Sequence, residues 1–150
     1  MLSCLPAVSV SSSLESPNYD CLVLVSPDSE DCHAKVSSAL TALQAVDKAA
    51  LSSVSLVPVE LPCKRLVFSP TGPLNRDYDD VRRFSDAATA GVKRALTAGS
   101  TNPLVVVKGS LTAGGAREAQ LAGLLGALAA LYVPLEIRDL GRWGGRGAAR

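Results

Sequence analysis

Two mainly apolar runs, Cys21-Leu22-Val23-Leu24-Val25 and Pro103-Leu104-Val105-Val106-Val107-Lys108, constrain this chain more than any other feature. Each is too short for a helix, rich in β-branched residues and bounded by turn formers, as a strand buried on both faces should be. Such a strand needs a layer packed above it and another below. The sequence supplies both layers as helices. Val36, Leu40, Leu43 and Val46 recur at the three-to-four spacing of a sheet-packed helix, as do Val81, Phe84, Ala88, Val92 and Leu96. An Ala/Leu-rich stretch over 116–130 reads as a third helix. The alternation of strands and helices predicts an α/β domain: a mixed, largely parallel sheet with helices on both faces.

Further strands are expected at Leu5 to Val10, Val54 to Val59, Lys64 to Ser69 and Val133 to Arg138. Ser26 suits the cap of the first helix, Pro27 its first position, and Asp28, Glu30 and Asp31 its positive end, so that helix is expected from there to about Val46. Two prolines and a glycine make 70–77 a loop. Asp77 can cap the next helix, with Asp80 at the third helical position as a carboxylate form of the capping box, and Gly99 can stop it. From Asp139 onward no periodic face remains. The domain is expected over 1–138, with a disordered Gly/Arg-rich tail over 139–150.

Composition excludes several classes. At 47% hydrophobic and 19% charged the chain is neither disordered nor fibrous, and no apolar run approaches the roughly 18 residues of a membrane span. Net charge is +1, although residues 1–63 hold seven acids and two bases and residues 64–150 seven acids and thirteen bases. Many of those bases interleave with acids, and the six aromatic residues are scattered, so neither nucleic acid nor membrane is an expected partner. Cys4, Cys21, Cys32 and Cys63 form no CxxC pair, which disfavours structural zinc and redox chemistry and favours idle thiols in a reducing compartment. The first basic residue is Lys35 and no apolar signal core is evident, so a cytoplasmic location is expected.

Chemical signals are weak. Gly109-Ser-Leu-Thr-Ala-Gly114 joins a strand to a helix as a phosphate loop does, but Gly115 and Ala116 stand where Lys and Ser or Thr are required. A flexible connection explains it, with bare helix amides as the residual anion binder. Asp77, Asp79 and Asp80 have the look of a cation site, yet adjacent acids diverge on a helix and Arg76, Arg82 and Arg83 compete for them. His33 is the sole histidine, and adjacency to Cys32 makes no nucleophile–base pair. No Gly-x-Ser-x-Gly elbow occurs. No catalytic, cofactor-binding or metal-binding residue is therefore expected in this chain.

One stretch carries a family resemblance. Lys64 to Phe84, reading KRLVFSPTGPLNRDYDDVRRF, resembles the amino-terminal domain of cytosolic leucine aminopeptidase-like proteins. The likeness continues through Ser85 to Gly99, Pro103 to Val107 and Tyr132 to Arg138, covering about residues 5–138. It implies a macrodomain-like layout and a noncatalytic role. In that family two divalent metals, zinc or manganese, sit in a separate carboxyl-terminal domain and activate water for release of amino-terminal residues. This chain has no Asn-Thr-Asp-Ala-Glu-Gly-Arg segment, so none of its acids inherits a metal-binding role and the chain alone is expected to be inactive. The expectation is a truncated form, whether fragment, alternative transcript or frame-changed product. Its implied partner is the catalytic aminopeptidase domain or a homo-oligomer, and the alternative is a free-standing small-ligand or nucleotide-binding macrodomain-like module.

Overall fold

The computed structural model describes residues 7–29, 32–75, 80–109 and 115–132. Its elements run β1 (Cys21–Ser26), α1 (Ala34–Val46), a single 3-10 turn (Ala50–Ser52), β2 (Ser55–Pro58), β3 (Arg65–Pro70), α2 (Arg82–Thr97), β4 (Pro103–Val107) and α3 (Ala116–Leu131). The strands form one sheet in the order β2-β3-β1-β4. β1 pairs in parallel with β3 and β4, aligning Leu24 with Phe68 and Val106, while β2 runs antiparallel on the outer edge of β3. The architecture is α/β with a mixed sheet, and its layout agrees with the macrodomain-like expectation.

The apolar run of β1 is buried throughout because it is central and covered on both faces. Cys21, Val23, Val25 and Val67 point toward Phe84, Ala88 and Val92 of α2 and Ala119 and Ala127 of α3. Leu22, Leu24, Leu66 and Phe68 point the other way, onto Val36 and Leu40 of α1. Period-two alternation along each strand thus divides one apolar run between two cores. The expected shared sheet holds for Leu22, Val67 and Val106. The strand expected over 133–138 and the tail at 139–150 lie outside the described residues.

Several boundaries differ from the sequence reading. Residues 7–10 form no strand: Val8 and Val10 are 61% and 99% exposed, so their alternation with neighbours has no buried face to serve. The first helix begins at Ala34 rather than beside Pro27. Ser26 is the last residue of β1 and its carbonyl accepts the Thr71 amide at 3.2 Å, which commits it to the sheet instead of a cap. Of the predicted stripe on α1, Val36 and Leu40 are buried, Leu43 is half-buried and Val46 is 89% exposed. Asp80 precedes α2 instead of lying within it, accepting the Arg82 amide at 2.7 Å. Gly99 stops α2 as expected: at φ +81° it turns the chain so that the Ser100 amide reaches the Ala95 carbonyl at 3.0 Å.

α2 and α3 touch through their backbones. A methyl group at Gly126 would lie 2.2 Å from the Ser85 carbonyl oxygen, and the Thr89 hydroxyl donates to the Gly126 carbonyl at 2.8 Å. Only glycine permits that approach.

Candidate functional site

In open α/β sheets, ligands bind where connections leave the carboxyl ends of the strands. Here the corner between β1 and β4 is closed. Gly109, at φ +104°, packs so tightly on Pro27 that an added Cβ would stand 3.0 Å from the proline Cδ and 3.6 Å from a Phe84 ring carbon. The Lys108 amide donates to the Val25 carbonyl at 2.8 Å. Of the glycine loop, only Gly109 is described; Ser110 to Gly114 lie outside the described residues, and Gly115 stands at the amino cap of α3.

The open space lies on the other side of β3. A groove of about 610 Å³ has Ser69, Pro70 and Thr71 at its base, with Arg82 and Asp86 of α2 and Asp80 just before that helix along its wall. Its volume suits a small ligand. Its chemistry is quiet. The Ser69 hydroxyl, fully buried, donates to the Ala87 carbonyl at 2.7 Å, and Thr71 donates to the Gly72 carbonyl at 3.1 Å. Arg82 Nε donates to Asp80 Oδ2 at 2.6 Å, and that bond holds the exposed Asp80 carboxyl below its ordinary value. Two acids and two arginines leave the groove without net charge.

The acidic cluster read from the sequence is only partly placed. Asp77 and Asp79 lie outside the described residues, and Asp80 is engaged by Arg82. Among the described residues no three His, Cys, Asp or Glu side chains come together as a cation cage. His33 occupies the amino-cap position of α1 without a side-chain cap bond. It and Cys32 line a second cavity of about 60 Å³ on the α1 face, with Lys108 and Leu24. The thiols of Cys21 and Cys63 are buried, and burial pushes Cys21 up to about 11, far from a thiolate nucleophile at neutral pH.

One polar cluster escaped sequence reasoning. At the amino ends of the strands, Asp20 accepts hydrogen bonds from the Ser100 hydroxyl at 2.5 Å and the amides of Thr101 and Asn102 at 2.7 and 3.3 Å. Arg65 closes it, donating from Nε to the Asp20 carbonyl at 3.1 Å and from Nη1 to the Ala98 carbonyl at 2.8 Å. Burial works to raise the Asp20 pKa, but the hydrogen bonds together outweigh it and hold the carboxyl below its ordinary value. The cluster ties β1, β3 and the turn after α2 together. Its partners are 33 to 82 residues apart in sequence, so no local spacing announces it.

No known family model and no solved structure matches the chain. A Caenorhabditis elegans protein whose name provisionally makes it an aminopeptidase is 43% identical over 93 residues, which is 60% of this chain and 17% of the nematode protein. Over that stretch the chain is related to an aminopeptidase-named protein. It spans about a sixth of that relative's length. Among the described residues no helix is long and apolar enough to cross a membrane.

Proposed function

We propose that this chain is the noncatalytic amino-terminal domain of a leucine aminopeptidase-like metallo-exopeptidase, and that it helps to position or assemble a catalytic domain held elsewhere. The 43% identity to the nematode protein carries the reading, because it supplies the peptidase link while aligning with only 17% of that protein. In the groove the Ser69 and Thr71 hydroxyls donate to main-chain carbonyls and Asp80 is bound to Arg82, which leaves Asp86 as its remaining carboxylate.

Two measurements test this. The purified chain, assayed with a leucyl amide substrate and added zinc or manganese, is expected to release no leucine; metal-dependent release refutes the noncatalytic assignment. The aligned 93 residues of the nematode protein, exchanged for those of this chain, should leave a folded chimaera with metal-dependent exopeptidase activity if the nematode protein has it. A folded chimaera that loses the activity refutes the accessory role.

A further inference from the structure

Residues 11–18 run across the α1 side of the sheet with few ties to it. Their amides find partners inside the segment: Ser13, Glu15 and Asn18 donate to the hydroxyl oxygens of Ser11, Ser13 and Ser16 at 3.4, 3.1 and 3.3 Å. Among the described residues no main-chain hydrogen bond joins 7–18 to another element. Upstream, Val8 and Val10 are exposed and give the segment no anchor. Two contacts pin it. The half-buried Leu14 packs on the cluster of Tyr19, Leu22 and Phe68. Glu15 Oε1 accepts the Lys35 ammonium of α1 at 2.6 Å, and exposed ion pairs of this kind stabilise little. Firm attachment begins at Asn18, whose carbonyl accepts Asn102 Nδ2, and continues at Asp20, whose amide donates to the Asn102 carbonyl at 3.1 Å.

The closed arrangement also carries a cost. Tyr19 is 7% exposed, and its hydroxyl has no hydrogen-bond partner among the described residues. Burial raises the pKa of that phenol, and the neighbouring Cys63 and Glu15 add to the rise, so the segment's own carboxylate stands near it. We propose that residues 11–17 form a strap that swings off the sheet in the otherwise folded domain, admitting water to Tyr19 and uncovering the cavity that Leu14 shares with Cys32, Val36 and Val106. The hydroxyl regains a partner in the open form, which offsets what Leu14 and the ion pair contribute to the closed one. β1 keeps its pairing with β3 and β4 throughout, because Asn18 and Asp20 hold the chain on the far side of the hinge.

Cys32 supplies a reporter. It is half-buried beside a cavity of about 60 Å³, less room than a maleimide ring needs, whereas Cys21 is fully buried in the core and reports unfolding of the whole domain. Residues 1–150 are labelled with N-ethylmaleimide, peptide mapping by mass spectrometry gives the rate at each cysteine, and circular dichroism confirms the fold of each variant. Below the unfolding transition, Cys32 labelling should be nearly independent of urea, because a strap exposes little surface on opening, while Cys21 labelling should rise steeply. Leu14→Ala, which removes the apolar anchor, should speed Cys32 labelling about ten-fold. Tyr19→Phe should slow it about five-fold, since the closed form then leaves no hydroxyl unpaired. Tyr19 stands outside the cavity lining, so that slowing reports the strap and not the room around the thiol. A wild-type rate at Cys32 in either variant, or a urea dependence as steep as that of Cys21, overturns the proposal.

Discussion

Replacing Gly126 by alanine should destabilise the domain although it improves the helix. In an exposed helix interior, alanine gains about 1 kcal/mol over glycine. At Gly126 the new methyl carbon would stand 2.2 Å from the Ser85 oxygen and 2.7 Å from the Ser85 carbonyl carbon. Comfortable carbon contacts begin near 3.5 Å, so the helices must separate by about 1 Å or more. Backbone at Ser85 cannot swing aside as a flexible side-chain end would. Separation stretches the bond from the Thr89 hydroxyl to the Gly126 carbonyl, worth about 0.5–1.5 kcal/mol, and loosens Ala119 and Ala127 against the core. Overpacking of this kind costs about 1–3 kcal/mol or more, so the net loss should be about 1–3 kcal/mol. At this chain length that lowers the melting temperature by about 2–10 °C. Urea unfolding followed by circular dichroism reads it as a lower midpoint at unchanged slope. Thr89→Val supplies the hydrogen-bond part alone and should cost less. A Gly126→Ala midpoint at or above wild type would show that the helices do not approach as described.

Three further outcomes are expected. Tyr19 is 7% exposed and its hydroxyl finds no hydrogen-bond partner among the described residues, so Tyr19→Phe should raise stability, by about 1 kcal/mol in urea unfolding; a loss would reveal a partner for that hydroxyl. Asp20 has a lowered pKa in the folded state, so its contribution is present above the unfolded value of about 3.9 and is lost as pH falls through the folded value. Asp20→Asn should therefore cost about 1.5–3 kcal/mol at pH 7, with the gap to wild type narrowing at acid pH, and a gap independent of pH would sink the assignment. Calorimetric titration with ADP-ribose should show no saturable binding; binding abolished by Gly109→Val would favour the small-ligand module instead.

Much of the sheet was legible because a strand buried on both faces leaves an unmistakable trace: the Cys21 to Val25 and Pro103 to Val107 runs became β1 and β4 within a residue at each end. The α2 stop at Gly99 was equally local, since one left-handed residue decides it. Where Ser26 and Pro27 promised a helix start, a nonlocal bond from Thr71 to the Ser26 carbonyl decided the matter. The groove was illegible for a similar reason. Ser69 and Asp86 are ordinary residues on separate elements, and only the packing of α2 beside β3 gives them a common space. Gly123 and Gly126 did leave a signal, being helix-interior glycines that local propensity disfavours.

The order β2-β3-β1-β4 also governs how the chain can emerge from a ribosome. The central strand is made first, at residues 21–26, yet one of its two neighbours arrives only at residues 103–107. Until then one edge of a fully buried strand has no partner, and the helix that completes its second core, α3, comes later still. Early β-hairpin pairing of β2 with β3 can form, but it closes neither layer. A nascent chain halted before about residue 107 therefore displays an open sheet edge, a template for pairing with other chains. Pausing after α3 should release mostly folded domain, whereas pausing before β4 should leave a species that needs a chaperone, so position along the message decides solubility more sharply than final stability does.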